Sequence, residues 1–181
     1  LCLRLAKEGC HVVIGDMNEQ GAEETAAAVK AAGRNAFSMK VDVSKEEDVA
    51  ALFKKAMNEF GRVDIVVANA AILIAEPIAE ANAAKWQAVI NVNLFGTFLT
   101  LKHAAKIMKA QKSGSMVVIS SKSGKKGSAA NSAYASSKFG QIGLVQSVAL
   151  ELAPLGIRCN AVCPGNFLNG TLWMDPEKGL F

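Results

Sequence analysis

Short apolar runs alternate along the chain with longer segments in which apolar residues recur every three or four positions. The runs are almost uniformly apolar, which is typical of strands buried on both faces of a parallel sheet. The longer segments have the period of helices that bury one face, and several of them end at a glycine. The predicted strands cover 11–15, 35–41, 63–68, 116–119 and 156–162. The predicted helices cover 1–7, 21–32, 44–60, 83–111 and 133–154.

The regular alternation of strand and helix predicts an α/β fold, in which a parallel sheet is covered by helices on both faces. Ser44 and Glu47 have the spacing of a capping box, so we expect Ser44 to cap the third helix. The segment 72–80 has no clear period, and an irregular tail begins at Pro164. No internal repeat or linker divides the chain, so 1–181 is predicted to be a single domain.

Composition and charge narrow the classes of function. Apolar residues make up 51% of the 181 residues, and the net charge of +4 comes from lysines spread along the chain, which disfavours nucleic-acid binding. No apolar run is long enough to span a bilayer, and the start is too short and too charged for a signal peptide. The cysteines lack C-x-x-C spacing and the two histidines are far apart, so we expect no metal site and reduced thiols in a cytoplasmic protein. The four cysteines are Cys2, Cys10, Cys159 and Cys163.

The candidate chemistry is concentrated in 120–140. Tyr134 is the single tyrosine, and Lys138 follows four residues later, which places both side chains on one face of the predicted helix. A neighbouring ammonium favours ionisation of a phenol, so the pair could act as a general acid and base. Chance spacing is the alternative for the pair alone. Ser121 ends the strand before this helix, which brings a third polar group to the same sheet edge.

Ser121, the Tyr134-x-x-x-Lys138 motif and the upstream Asn93 together resemble the active site of the short-chain dehydrogenase/reductase family. The resemblance covers almost the whole chain and implies a Rossmann-type, doubly wound, three-layer α/β/α fold and an oxidoreductase that uses a nicotinamide cofactor. The glycine-rich turn and first strand of that family would lie just before Leu1, and its last helix and strand after Phe181. We therefore expect a fragment of a longer protein that lacks these segments, with the first strand belonging between the strands that end at Asp16 and Ala68.

Asp16 directly follows the first predicted strand, where a carboxylate accepts hydrogen bonds from an adenosine ribose and repels a 2′-phosphate. The next residue is Met17 and not an arginine, which favours NAD over NADP. The alternative is that Asp16 only turns the chain before Asn18. The resemblance also implies cofactor contacts from Tyr134 and Lys138, and from the strand-end and loop residues Asp42, Val43, Asn69, Ala70, Ala71, Pro164, Gly165 and Phe167.

The resemblance implies that a secondary alcohol and a ketone are interconverted by hydride transfer. Tyr134 would move the hydroxyl proton, Ser121 would hydrogen-bond the substrate oxygen, and Lys138 would promote ionisation of Tyr134 and bond the nicotinamide ribose. Asn93 would hold a water that connects Lys138 to solvent. An ordinary, satisfied helix asparagine is the alternative for Asn93.

Lys122, Lys125 and Lys126 lie in the glycine-rich loop after Ser121, and lysine is a good point charge for phosphate. An anionic substrate such as a sugar phosphate is one interpretation, with Lys122 and Lys125 as its ligands, and a solvated lysine loop is the other. The closing stretch, 160–181, is similar to the sorbitol-6-phosphate 2-dehydrogenase branch of the family, among the polyol dehydrogenases.

The second half of the Tyr134 helix, 139–152, is apolar or small on nearly every face, so one side needs a cover other than the sheet. A second copy of the chain is the simplest cover, which predicts a homo-oligomer, a dimer or tetramer. Three alternatives for the function stay open: a 3-ketoacyl reductase-like enzyme, a non-catalytic dinucleotide-binding regulatory protein on the same fold, and a flavodoxin-like binding domain.

Overall fold

The structure is a computed structural model that describes residues 1–165. The strands are β1 (Val12–Asp16), β2 (Ala36–Lys40), β3 (Ile65–Ala68), β4 (Gly114–Ile119) and β5 (Ile157–Val162). The helices are α1 (Cys2–Lys7), α2 (Glu19–Ala31), α3 (Glu46–Phe60), α4 (Ala83–Ile90), α5 (Gly96–Gln111) and α6 (Ser132–Leu152). The predicted alternation of strand and helix is confirmed.

Several helix ends follow directly from local sequence. The carboxamide of Asn18 accepts the N–H of Gly21 and so caps α2. Gly61 ends α3 in the left-handed region, with φ of 70°, which glycine adopts without steric cost. The predicted capping role of Ser44 is wrong. The Asp42 carboxylate accepts both the backbone N–H and the hydroxyl of Ser44, at 3.0 and 2.6 Å, and the helix begins only at Glu46.

The predicted long helix over 83–111 is present but contains an irregular turn. Residues Asn91–Phe95 form a π-turn between α4 and α5, in which the N–H of Gly96 bonds the carbonyl of Asn91, five residues back. Two short 3₁₀ turns, Lys122–Gly124 and Ala153–Leu155, flank α6. The first of them follows Ser121 and precedes Tyr134, so it lies within the candidate site.

All described strand pairs are parallel, but they form two sheets. One sheet has the order β1-β2 and the other the order β3-β4-β5. In the smaller sheet Asp16 is in register with Lys40, and in the larger sheet Ala68 is in register with Val118. Among residues 1–165, no strand pairs with β1 on the side away from β2, or with β3 on the side away from β4.

The buried apolar side chains form two clusters. Val12, Val29 and Ala36 belong to a small cluster between α1, α2 and the two-stranded sheet. The larger cluster holds side chains of α3, α5, α6 and the three-stranded sheet, and Leu99 and Met116 are fully buried in it. Beyond the carboxyl ends of the strands, Asp16 and Asn69–Ala71 are exposed, so this edge of the sheets is accessible to a ligand. Within the described part of the chain, every helix is too short or too polar to cross a lipid bilayer.

Candidate active site

Hydrogen bonds between the end of β4 and α6 hold the candidate catalytic residues of these two elements close together. The ammonium of Lys138 donates to the carbonyl of Ile119, the last residue of β4, at 2.9 Å. The hydroxyl of Ser120 donates to the carbonyl of Lys138 at 3.1 Å. A Cβ at Gly124 would lie 2.7 Å from this same carbonyl, so the turn after Ser121 rests directly on α6.

Lys138 is the most unusual ionisable group of the site. Its side chain is 1% exposed, and its Nζ lies 5.5 Å from the ring centre of Tyr134. Burial lowers the pKa of Lys138 to about 8, and the neighbouring Cys163 acts weakly in the opposite direction. Because an ammonium has three donors and Ile119 takes one, Lys138 keeps donors for other partners.

The hydroxyl groups of Tyr134 and Ser121 keep their hydrogens for an external partner. Tyr134 is half-buried, and its backbone carbonyl accepts a hydrogen bond from the Ser137 hydroxyl at 2.7 Å. Ser121 Oγ accepts the backbone N–H of Ser123 at 3.1 Å, which leaves its own hydrogen to donate. Within residues 1–165, neither hydroxyl donates to a protein acceptor, so both can serve a substrate oxygen.

Asn93 lies in the π-turn and is fully buried. Its Oδ1 accepts the N–H of Ile72 at 2.8 Å, and its Nδ2 donates to the Ile72 carbonyl at 2.9 Å and to the Ser137 hydroxyl at 3.1 Å. Both hydrogens of the carboxamide are therefore used. The side chain holds the segment after β3 against the start of α6, and this geometry agrees with the alternative of a satisfied structural asparagine.

A cleft of about 450 Å³ opens beside the Ser121 turn. Three lysines with exposed side chains border it, together with the thiol of Cys163, which is half-exposed. Cys159 is buried on β5 instead, and burial raises the pKa of its thiol to about 11. The cleft is lined by Lys122, Ser123, Lys125, Lys126, Gly127, Ser128 and Cys163.

The acidic residues that were predicted to bind the cofactor end two neighbouring strands. Asp16 ends β1 and is exposed, and its Oδ1 accepts the N–H of Asn18 at 2.9 Å, so the predicted turn role is present. That bond uses one oxygen and leaves the other for a ligand. Met17 is 58% exposed beside it. Hydrogen bonds from Ser44, its hydroxyl above all, lower the pKa of Asp42, which follows β2.

The remaining predicted cofactor contacts among residues 1–165 lie at or just after the carboxyl ends of the strands. Val43 touches α5 where Gly96 leaves room for it, since a Cβ at Gly96 would lie 2.7 Å from the Val43 side chain. Asn69, Ala70 and Ala71 follow β3 and are exposed. The carbonyl of Pro164, after β5, accepts the N–H of Lys122 at 2.8 Å, and Gly165 follows it. Phe167 lies outside the described residues.

These residues fit a dinucleotide by their chemistry. A free carboxylate oxygen, exposed small residues and a buried ammonium line successive carboxyl ends of parallel strands, which is the edge where open α/β sheets bind ligands. Among residues 1–165, no three histidine, cysteine, aspartate or glutamate side chains converge as metal ligands would.

Sequence reasoning missed a buried polar network behind the site. Thr97, Ser137 and Gln141 are at most 3% exposed and connect to Asn93. A signal was present, because Asn93 and Thr97 on one helix, and Ser137 and Gln141 on the other, are each four residues apart. Polar pairs at that spacing in apolar helices share a face.

Comparison with known proteins places this geometry in context. The family model described as short chain dehydrogenase matches residues 1–177. A cis-4-hydroxycyclohexanecarboxylate dehydrogenase from Sinomonas cyclohexanicum is 44% identical over 162 residues, which cover 89% of this chain and 65% of the relative. The chain thus spans just under two thirds of that relative's length.

Two solved structures are similar in sequence and in backbone. Sorbitol-6-phosphate 2-dehydrogenase SrlD from Erwinia amylovora superposes with a TM-score of 0.88 at 39% identity, covering 93% of this chain and 67% of that one. An NAD⁺-bound xylitol dehydrogenase superposes with a TM-score of 0.88 at 34% identity, covering 91% and 64%. On the match to the family model and on these relatives, the chain belongs to the short-chain dehydrogenase family.

Proposed function

We propose that the protein interconverts a secondary alcohol and a ketone by hydride transfer, with NAD as the cofactor. The observation that carries the proposal is the placement of Lys138, whose buried ammonium lies 5.5 Å from the Tyr134 ring centre on a helix joined to the end of β4. Burying a lysine beside a half-buried phenol costs folding free energy, and a purely structural role would not require that cost. The arrangement is useful for proton transfer.

The proposed roles follow from which groups keep free donors or acceptors. Tyr134 takes the alcohol proton, or returns it in the reverse direction. Ser121 donates a hydrogen bond to the substrate oxygen as negative charge develops there. The ammonium of Lys138, 5.5 Å from the Tyr134 ring centre, would stabilise the negative charge that develops during proton transfer. When bound, the nicotinamide ring supplies or accepts the hydride.

The cofactor would be held along the carboxyl edge of the strands. Asp16, with Met17 beside it, would take the adenosine ribose, and Asp42 and Val43 would flank the adenine. The diphosphate side would face the exposed segment Asn69–Ala71. At the nicotinamide end the contacts would come from Tyr134, Lys138, Pro164, Gly165 and Phe167. The Asp16 carboxylate would repel a 2′-phosphate, which supports NAD over NADP.

Substitution of Tyr134 by phenylalanine in the full-length protein tests the proposal. We expect turnover to fall by at least about 100-fold while the affinity for NADH, followed by its nicotinamide fluorescence, changes little. Ser147→Ala removes an exposed hydroxyl from the same helix and should leave turnover unchanged. Near-wild-type activity in Tyr134→Phe, or faster reduction of NADP than of NAD by the wild-type protein, would contradict the proposal.

The lysine-lined cleft supports a polyol phosphate or sugar phosphate, such as sorbitol 6-phosphate, as the substrate. Lys122, Lys125 and Lys126 present three cations around a space of about 450 Å³ next to the Ser121 turn. A panel of polyols and their phosphates, assayed with NAD, distinguishes the interpretations. A phosphate preference that weakens in Lys125→Gln supports the anionic substrate, and equal use of both forms indicates a solvated lysine loop.

Two further features of the proposal concern assembly and location. Phe139 and Leu150 are 47% and 80% exposed on α6, and the stacked rings of Phe95 and Phe98 are half-exposed where α5 begins. A second copy of the chain would cover these apolar side chains, which supports a homo-oligomer. All four cysteines are free, which supports a reducing cytoplasmic location.

A further inference from the structure

A network of buried polar side chains joins α5 and α6 beneath the candidate active site, and apart from the water-holding role predicted for Asn93, none of the proposed chemical steps uses it. Its members are at most 3% exposed: Asn93, Thr97, Ser137 and Gln141. Buried polar groups are expensive unless they are satisfied, so a network of this size in an apolar helix pair calls for a reason beyond packing.

Gln141 holds one end of this network. Its Nε2 donates to the Asn93 carbonyl at 2.7 Å and to Thr97 Oγ1 at 2.8 Å. The Thr97 hydroxyl donates to the same Asn93 carbonyl at 2.6 Å. Because Asn93 lies in the π-turn, these two side chains fix the backbone of an irregular turn that a continuous α-helix would not contain.

The other end of the network reaches the active site. The Asn93 carboxamide makes two hydrogen bonds to the backbone of Ile72 and a third to the Ser137 hydroxyl. Ile72 directly follows the predicted cofactor segment Asn69–Ala71, and Ser137 donates to the Tyr134 carbonyl. The orientation of Asn93 therefore sets the position of the cofactor segment relative to the Tyr134 turn.

We propose that Gln141 is a positioning residue, which fixes the Asn93 turn and thereby holds the segment at Ile72 in place against the start of α6. The role in catalysis rests on the proposed dehydrogenase function, whereas the mechanical coupling does not. The side chain touches none of the groups assigned to proton transfer, so it acts through Asn93.

The side-chain oxygen of Gln141 allows an experiment to distinguish a positioning role from a purely stabilising role. Its Oε1 is buried and has no hydrogen-bond partner in the described part of the chain. Such an atom destabilises the fold, and this cost offsets part of what the Nε2 bonds contribute. Replacing the amide by an apolar group of similar length should therefore change stability little, while releasing the Asn93 turn.

The test compares Gln141→Met with Gln111→Met in the full-length protein. Gln111 is a matched control, because it exchanges two hydrogen bonds with the backbone of Val63 at the far end of α5. In Gln141→Met we expect kcat to fall about 10-fold or more with KM for the substrate nearly constant, and Tm to stay close to that of the wild type. Gln111→Met should lower Tm and leave kcat unchanged.

Hydrogen exchange at the Ile72 amide provides a readout that does not depend on activity. That amide donates to Asn93 Oδ1, so its exchange should quicken about 10-fold or more in Gln141→Met and stay unchanged in Gln111→Met. Thr97→Val removes the other side-chain donor to the Asn93 carbonyl and should quicken the same amide, which keeps the test valid if Gln141→Met does not fold.

The two possible failures are distinguishable. An unchanged Ile72 exchange rate in Gln141→Met, or wild-type kcat in that variant, overturns the positioning role. A wild-type protein without dehydrogenase activity overturns the proposed function instead, and the exchange measurement still decides whether Gln141 holds Ile72.

Discussion

Lys138 shows at the scale of one residue how stability and chemistry oppose each other. The ammonium is buried at the end of β4, and burial lowers the pKa of Lys138 from 10.5 to about 8. Lysine in an unfolded chain keeps the ordinary pKa, so below pH 8 both states are protonated and the folded state carries the whole cost of burial. Between about pH 8 and 10.5 the unfolded state binds more protons, so stability should rise with pH in that window.

We therefore expect Lys138→Met to stabilise the cofactor-free protein at pH 7 while abolishing turnover. A shift of this size corresponds to about 3 kcal/mol at most, and loss of the bond to Ile119 reduces the gain. Chemical denaturation measured from pH 6 to 10 tests this. The advantage of the variant should shrink as pH rises above 8.

Lys126→Met is the matched control, because Lys126 is exposed in the cleft loop and should show no such gain. A Lys138→Met protein that is less stable than the wild type at pH 7 would show that the ammonium contributes more to folding than its burial costs.

At the scale of elements, the contact between the Lys122–Gly124 turn and α6 carries the geometry of the site. A Cβ at Gly124 would lie 2.7 Å from the Lys138 carbonyl and 2.9 Å from the Ser120 hydroxyl. Neither the backbone carbonyl nor the short serine side chain can move far, so any larger residue displaces the turn. Because Ser121 begins this turn, its hydroxyl would move with it.

We expect Gly124→Ala to lower kcat by about 10- to 100-fold, since misplacement of a catalytic group by about 1 Å is sufficient for such a loss. Gly127→Ala lies in the same loop, where an added Cβ meets nothing within 4 Å, and should keep its activity. Steady-state kinetics of the two variants test the contact. Equal activity in both would mean that the turn adapts without moving Ser121.

The element scale also shows what could be predicted from sequence and why the rest could not. Strands and helices followed from apolar periodicity, because burial on a sheet imposes it. The π-turn at Asn91–Phe95 leaves no mark in that periodicity, since it depends on side chains of another helix, such as Gln141. The predicted cap at Ser44 is absent because the Ser44 hydroxyl donates to the Asp42 carboxylate, two residues before it.

The residues of the candidate site also fall into those that could be predicted from the sequence and those that could not. Tyr134 and Lys138 could be placed together because they lie one turn apart on a single helix. The position of Ser121 could be predicted on the single assumption that the end of β4 lies next to the start of α6. The water-holding role of Asn93 stays a prediction, because the use of its carboxamide depends on Ile72 and Ser137, which are remote in sequence. Such tertiary partners are not encoded in local spacing.

At the scale of the whole molecule, α6 presents an exposed stripe that predicts association. Besides Gln146 and Glu151, which are also exposed, its exposed residues are all small or apolar: Ser136, Phe139, Gly143, Ser147 and Leu150. They recur at intervals of three or four residues and so share one face of the helix. In a single copy of the chain, a Cβ at Gly143 would meet nothing within 4 Å.

Gly143→Arg should therefore leave the protomer folded, because arginine favours a helix over glycine, yet disrupt an oligomer packed through this stripe. We expect light scattering to report a dimer or tetramer for the wild-type protein and a monomer for the variant. Ala28→Arg, on the exposed face of α2, is the control and should keep the wild-type mass. A monomeric wild-type protein would contradict the interface.

The separation of the candidate cofactor residues along the sheet edge has a thermodynamic consequence for ligands. Asp16 and Asp42 lie at the ends of β1 and β2, whereas Lys138 is anchored to the end of β4. A dinucleotide bound at both ends would connect the residues near β1 and β2 with those near β4. Adenosine or nicotinamide mononucleotide alone would contact only one of the two groups of residues. The melting temperature of the protein should therefore rise more with the intact dinucleotide than with both halves added together.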